Sequence, residues 1–96
     1  MGHLEELRQL TNEYWTFPHV RVLLFGSWAR GEAHLGSDVD LAIDYPSQMD
    51  YSYEVSCFRE ILEESAFPCR VDVVDLHHAG ESLCQRIRKE GILWRG

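Results

Sequence analysis

The fold of this chain is decided by two neighbouring stretches, GSWARG at residues 26–31 and SDVDL at residues 37–41. The first stretch follows the run VRVLLF, residues 20–25, whose branched and aromatic side chains are typical of a β-strand. The second opens another apolar run with two aspartates at alternate positions. A glycine turn gives phosphates access to backbone N–H groups, and paired carboxylates bind divalent cations. The combination is typical of a metal-dependent phosphoryl-transfer site.

Helix-like and strand-like patterns alternate along the rest of the chain. Apolar residues recur at helical spacing in three segments, and compact β-rich runs form three more. The predicted helices cover residues 3–15, 49–67 and 80–90, and the predicted strands cover residues 20–25, 38–44 and 70–76. Ser27 is suited to cap a further short helix that reaches Arg30 or Gly31, with a loop over residues 32–37. The order α-β-α-β-α-β-α predicts one α/β (α+β) domain over residues 1–96, with a three-stranded sheet of undetermined strand direction covered by helices.

The last apolar residues, Ile92, Leu93 and Trp94, follow the final predicted helix. We expect them to dock on the sheet, which would remove their side chains from water. The alternative is contact with a partner protein, because exposed apolar patches mark interaction surfaces.

Composition narrows the class of protein. The chain has 96 residues, which is enough for one small domain, and its 45% hydrophobic content fits a globular fold. A net charge of −7 argues against direct nucleic-acid binding, although bound metal would still recruit a nucleotide. No apolar run approaches the ~20 residues that cross a bilayer, and no secretory signal opens the sequence. We therefore expect no membrane partner and a cytoplasmic location.

The aspartates are the candidate metal ligands. Asp38 and Asp40 project from the same face of a strand, and a bound Mg²⁺ would relieve the repulsion between them. Asp72 lies inside an apolar run, where a carboxylate is costly unless it is paired or metal-bound. If the second and third strands are neighbours, the three carboxylates would hold two metal ions, one for the attacking oxygen and one for the leaving pyrophosphate. The alternative is that they face solvent at strand ends, as we expect of Asp44 and Asp75 in capping or surface pairs.

The candidate phosphate contacts surround the glycine turn. Gly26 lets the backbone turn tightly and approach a ligand closely. The helix that follows offers free N–H groups, Ser27 adds a hydroxyl, and Arg30 can reach a β- or γ-phosphate. Ser37, just before the aspartates, offers a further donor. The alternatives are a plain strand-to-helix turn and, for Arg30, a salt bridge to Glu32.

The whole pattern resembles the nucleotidyltransferase superfamily that includes DNA polymerase beta. It is most similar to the minimal nucleotidyltransferases of bacteria and archaea. The resemblance rests on Gly26-Ser27, ten intervening residues, Asp38-x-Asp40, and the later Asp72 in Val-Asp-Val-Val. It covers nearly the whole chain and implies a nucleotidyltransferase fold with a mixed sheet.

The resemblance also implies roles for the candidate residues. The catalytic metal ligands would be Asp38, Asp40 and Asp72, with Asp72 fitting the family pattern better than Asp75. The metal would be Mg²⁺, as two ions, with Mn²⁺ as a substitute. The residues contacting the triphosphate would be Gly26, Ser27, Arg30 and Ser37.

The expected chemistry is transfer of a nucleoside monophosphate from an NTP, ATP first of all, to a hydroxyl, with release of pyrophosphate. Larger relatives carry an acceptor-binding domain for which this chain has no room. Minimal members are commonly paired with a small helical HEPN-type protein that resembles an RNase toxin. The nucleotidyltransferase then acts as the antitoxin, in some cases by adenylylating a tyrosine of its partner. The resemblance thus implies a type VII-like antitoxin with a HEPN-type partner, and it leaves a homo- or hetero-oligomer open.

Two other functions stay open on the sequence. In one, the chain is a non-catalytic, nucleotide-binding antitoxin that neutralises a toxin by covering its surface. In the other, it is the catalytic subunit of a two-chain enzyme that modifies the hydroxyl of a small molecule.

Overall fold

The computed structural model describes residues 2–34, 36–65 and 67–95. In chain order the elements are α1 (Gly2–Tyr14), β1 (Arg21–Phe25), α2 (Ser27–Arg30), β2 (Val39–Asp44), α3 (Ser52–Glu64), β3 (Val71–Asp75), a 3₁₀ turn (Leu76–His78), α4 (Glu81–Glu90) and β4 (Ile92–Arg95). Every predicted helix and strand forms, with ends that differ by a few residues. Residues 35 and 66, within the predicted loop and the predicted third helix, lie outside the described part of the chain.

The sheet has four strands in the order β3-β2-β1-β4, so the prediction of three strands is wrong. The extra strand, β4, pairs antiparallel with β1. Gly91 allows the change of direction after α4, because a Cβ there would lie 2.6 Å from the Ile87 carbonyl oxygen. The expected docking of residues 92–94 on the sheet therefore occurs through strand pairing. A strand of four residues is too short to show a period of its own.

The pairing of the remaining strands makes the sheet mixed, as the resemblance implied. Strand β1 runs antiparallel to β2, whereas β2 runs parallel to β3. The chain reaches β3 from β2 through α3, since parallel neighbours need a crossover. This topology places the start of β2 between the end of β1 and the start of β3.

Side-chain alternation along the strands divides the core into two layers. Val39, Leu41 and Ile43 share one face, as predicted, and pack against α1 and α3. The opposite face carries Ala42 and contacts α4 through a smaller apolar cluster. That cluster consists of Leu23, Ala42, Leu76, Cys84 and Ile87. Each large apolar side chain buried in this way contributes about 1.5–3 kcal/mol to stability.

Among the described residues, no helix combines the length and the apolar character that spanning a membrane requires.

Candidate active site

The register of the parallel strands brings two of the predicted carboxylates together. Asp40 on β2 is aligned with Asp72 on β3, and Phe25, the last residue of β1, is aligned with Asp40. Aligned residues on neighbouring strands project from the same face of a sheet, with strands about 4.8 Å apart. The expectation that the second and third strands are neighbours is therefore confirmed. Asp38 immediately precedes β2 and is exposed.

The electrostatics of this end of the sheet are unfavourable for a carboxylate. Burial raises the pKa of the Asp40 carboxyl above its ordinary value, and the neighbouring Asp72 and Asp38 raise it further. Arg30 lowers the pKa of Asp40 by a smaller amount. Like charges that raise one another's pKa are stabilised when a cation binds between them.

The structure does not, however, hold three ligands in a ready-made cluster. No three side chains of His, Cys, Asp or Glu in the described ranges converge closely enough to bind a metal ion. The Asp72 carboxylate instead accepts a hydrogen bond from Arg70 Nε at 3.1 Å. The Arg70 side chain is 75% exposed and the Asp72 side chain is 40% exposed, so the ion pair contributes no more than about 1 kcal/mol to stability. Turning the Asp72 carboxylate toward Asp40 would therefore cost little.

Gly26 fits the space beside Asp40 because it has no side chain. Its φ of 76° and ψ of −154° lie in a region essentially restricted to glycine. A Cβ at this position would also collide with Asp40 Oδ2. The turn after β1 is thus shaped around the carboxylate at the start of β2.

Ser27 begins α2 and does not cap it, so the predicted cap is wrong by one residue. Gly26 occupies the cap position, and no side-chain cap hydrogen bond forms. The Gly26 carbonyl accepts hydrogen bonds from the N–H groups of Ala29 and Arg30, each at 3.1 Å. The sequence missed this because a glycine with an extended ψ can end a strand and open a helix without a polar side chain.

Arg30 forms the salt bridge to Glu32 that the sequence offered as the alternative to a phosphate contact. Its Nε lies 2.8 Å from Glu32 Oε1, and this hydrogen bond is the main reason that the pKa of Arg30 is raised. Glu90 and Asp40 raise the pKa of Arg30 further, so this guanidinium lies within electrostatic range of Asp40. The side chain is 47% exposed, which leaves it able to change partners.

Ser37 holds the loop before β2. Its hydroxyl accepts a hydrogen bond from the His34 N–H at 3.0 Å, and its carbonyl accepts one from Trp28 Nε1 at 3.2 Å. The indole therefore ties α2 to the residue that precedes the two aspartates. No spacing rule in the sequence indicates this bond, because it joins a half-buried helix residue to a loop carbonyl.

Asp44 and Asp75 have structural partners, as expected. Asp44 pairs with Arg88 at 3.4 Å. Asp75 is 6% exposed; it accepts hydrogen bonds from the His77 N–H at 3.0 Å and from the Tyr45 hydroxyl at 3.1 Å. Asp75 thus caps the 3₁₀ turn. Both of its carboxylate oxygens already accept hydrogen bonds, so it is not a third ligand beside Asp40 and Asp72.

Two depressions adjoin the site and share Phe25 and Leu83 in their lining. A groove of about 870 Å³ includes Asp40 and Asp72 and extends past Arg59 to Phe67. A recess of about 130 Å³ includes Gly26 and lies between α2 and α4. The sequence pointed to Arg30 in the recess but not to Arg59, Arg70 or Arg86, since charged residues on a helix surface have the same pattern as a solvated face.

Comparison with known proteins identifies the family to which this chain belongs. Residues 6–94 match the family described as "Polymerase beta, Nucleotidyltransferase". A protein adenylyltransferase MntA of Shewanella oneidensis is 33% identical over 70 residues, which are 73% of this chain and 49% of that protein. A probable protein adenylyltransferase MntA of Haemophilus influenzae is 36% identical over 72 residues, 75% of this chain and 62% of that protein. The chain therefore spans about half to three fifths of the length of these relatives.

Solved structures show the same fold. A chain in the crystal structure of a mutant toxin–antitoxin MntA–HpeT is 29% identical, with a TM-score of 0.68 over 96% of this chain and 71% of that chain. A chain in the crystal structure of a toxin–antitoxin with AMP-PNP is 25% identical, with a TM-score of 0.62 over 100% of this chain and 74% of that chain.

Proposed function

The chain belongs to the polymerase beta nucleotidyltransferase family, and from that premise we propose that it transfers AMP from ATP to a hydroxyl of a HEPN-type partner protein. The observation that carries the proposal is the alignment of Asp40 with Asp72, beside a turn where Gly26 leaves room for the Asp40 carboxylate. The similarity to MntA proteins named protein adenylyltransferases supports the adenylyl transfer. The similarity to toxin–antitoxin structures, one of them with AMP-PNP, supports ATP as the nucleotide and an antitoxin role.

The donor set fits a divalent cation, which members of this family generally use. Carboxylate oxygens are the ligands that Mg²⁺ and Mn²⁺ prefer, and substrate phosphates complete the coordination of Mg²⁺. The residues that would hold Mg²⁺, as two ions, are Asp38, Asp40 and Asp72. When bound, the metal would activate the acceptor hydroxyl and stabilise negative charge on the phosphates.

We assign the two substrates to opposite sides of Asp40, in keeping with the order of the strands. Gly26 follows β1 on one side, and we assign the triphosphate to it, with Ser27, Arg30 and Ser37 as further contacts. Asp72 is on the outer strand β3 on the other side, where the groove begins. An acceptor in the groove therefore reaches the α-phosphate from the side opposite the leaving pyrophosphate.

The transfer itself is one in-line substitution at phosphorus. The acceptor oxygen forms a bond to the α-phosphorus while the bond from that phosphorus to the bridging oxygen breaks, and pyrophosphate leaves with the electron pair. Asp72 faces the groove and accepts the proton of the acceptor hydroxyl. The groove volume of about 870 Å³ is ample for a side chain presented by another protein, since pockets for drug-sized ligands span roughly 300–1,000 Å³.

The test is an intact-mass measurement on a HEPN-type protein that co-purifies with this chain or is encoded by a neighbouring gene. We expect incubation with ATP and MgCl₂ to add one or more AMP units to the partner, and Asp40→Asn to abolish the addition. Asp44→Asn is the matched control, since Asp44 lies on the same face of β2 but pairs with Arg88. No mass increase with any of the four NTPs would overturn the proposal.

One observation favours the non-catalytic alternative, in which the site only binds nucleotide. The Asp72 carboxylate is engaged by Arg70, and the described residues contain no ready three-ligand cluster. Toxin neutralisation that survives replacement of Asp38, Asp40 and Asp72 by asparagine would support this alternative.

A further inference from the structure

The recess beside Gly26 is bordered by two arginines from different elements. Arg30 comes from α2 and Arg86 comes from α4, and both line the volume of about 130 Å³. Phe25 and two apolar residues of α4 form its base. The sequence singled out Arg30 through the GSWARG stretch, whereas nothing in the sequence separated Arg86 from the other charges of the last helix.

The position of Arg86 follows from the helical period of α4 together with the packing of that helix on the sheet. Leu83, Arg86, Ile87 and Glu90 recur at spacings of three and four residues, so they lie along one side of the helix. Ile87 is buried against the sheet and anchors that side. Arg86 is therefore carried at the border of the packed face, where α4 meets the Gly26 turn.

Arg86 is the uncommitted cation of the recess. Arg30 is paired with Glu32, but Arg86 has no hydrogen bond or ion pair with any residue in the described ranges. Glu90 lines the same recess, yet it lies beyond ion-pair distance of Arg86. A guanidinium at the edge of a recess without a protein partner has its donors available for a ligand.

The chemistry and size of the recess indicate phosphate as that ligand. A guanidinium presents a planar fork of donors that matches phosphate oxygens bidentately. The volume of about 130 Å³ is below the roughly 300 Å³ of pockets that enclose drug-sized molecules, so the recess is too small for a whole nucleoside. The recess includes Gly26 and adjoins the acceptor groove, with which it shares Phe25 and Leu83.

We infer that Arg86 is a nucleotide-binding residue that contacts the β- and γ-phosphates of the NTP together with Arg30, and hence the pyrophosphate product. The inference rests on the proposed function, because it assumes that a triphosphate occupies the Gly26 side of the carboxylates. It assigns to α4, which packs on the sheet, a direct part in holding the leaving group.

Direct binding of three ligands tests this inference without requiring an acceptor. Calorimetry would compare ATP, tripolyphosphate and AMP, each with MgCl₂, on the wild-type chain and on Arg86→Gln. Arg86→Gln should weaken ATP and tripolyphosphate by about tenfold or more, the loss expected for a charge-assisted hydrogen-bonded contact, and leave AMP within about twofold. The control is Lys89→Gln, which removes the same charge from the solvent side of α4 and should change none of the three affinities.

Three results would overturn the inference, and they are distinguishable from one another. If the wild type binds ATP and Arg86→Gln binds ATP and tripolyphosphate equally well, Arg86 has no phosphate contact, while the proposed function stands. If the wild type binds neither ATP nor tripolyphosphate, the inference fails together with the proposed function. A loss for AMP as large as that for ATP would also overturn it, because the contact would then be to the nucleoside or the α-phosphate.

Discussion

Replacing Gly26 with alanine tests whether the turn after β1 must lack a side chain to accommodate the Asp40 carboxylate. The substitution adds a single methyl group at a position where φ is 76° and ψ is −154°. Non-glycine residues in this region are strained by about 1–3 kcal/mol. The added Cβ would in addition overlap Asp40 Oδ2, so the carboxylate or the turn must move.

The strain predicts a loss of stability of about 1–3 kcal/mol, and each kcal/mol lowers Tm by about 4–8 °C in a domain of this size. The collision predicts a separate loss of function. A displacement of about 1 Å at a reacting centre costs on the order of 100-fold in rate. We therefore expect Gly26→Ala to remain folded at low temperature while the proposed AMP transfer slows about 100-fold.

Gly31→Ala is the matched control for this prediction. Gly31 also has a positive φ, 73°, but a Cβ there would meet nothing within 4 Å. Its replacement should lower Tm through backbone strain of about 1–2 kcal/mol and leave the transfer rate within about twofold. The assay is single-turnover transfer followed by intact mass, below the Tm of both variants. Equal loss of transfer in the two variants, or wild-type transfer by Gly26→Ala, would refute the link between this glycine and the Asp40 carboxylate.

Three further predictions concern the aspartates and the fourth strand. Asp40→Asn should raise the Tm of the metal-free chain at pH 7. The folded-state pKa of Asp40 is raised, so the protein loses folding stability as the pH rises through that pKa and this carboxyl ionises. Thermal melts should show the gain in Tm shrinking to nothing below the ordinary carboxyl pKa of about 3.9. Asp75→Asn should lower stability by about 1–3 kcal/mol in urea titrations and keep transfer, whereas Asp72→Asn should keep stability and lose transfer; the opposite pattern would make Asp75 the third ligand. Trp94→Ala should cost about 3–5 kcal/mol, since this side chain is 8% exposed, and Ile92→Ala, at 47% exposed, should cost far less in the same titration.

The candidate carboxylates were predictable because strand alternation and the cost of a buried charge are short-range rules. Alternation predicts Asp38 and Asp40 on one face, although Asp38 lies just before β2 in the structure, and the acidic residue inside the third apolar run had to be explained by a neighbour or a metal. The exact alignment of Asp40 with Asp72 was not predictable, because the direction and register of β2 and β3 are set by how the sheet packs and not by the period of either strand.

What the sequence did not reveal depends on contacts between distant side chains. The ion pair of Asp72 with Arg70 and the bond from Trp28 to Ser37 are set by rotamers and loop shape. Strand β4 was missed because it begins directly after a helix and a glycine, and it is recognised only by its pairing with β1. The position of Arg86 follows from the packing of α4 on the sheet, which the helical period alone does not orient.

The contrast between Asp75 and Asp40 argues that the site is incomplete without a ligand. Asp75 is the more deeply buried, and its oxygens accept hydrogen bonds from the Tyr45 hydroxyl and the His77 N–H, as burial of a carboxylate requires. Asp40 is half-buried between like charges, and the turn beside it adopts a backbone region restricted to glycine. A fold that satisfies one acidic residue and leaves another half-buried among like charges concentrates its unfavourable interactions where binding can offset them. The ligand that relieves them must be cationic at the carboxylates and anionic at the arginines, which is the charge distribution of a metal-bound triphosphate.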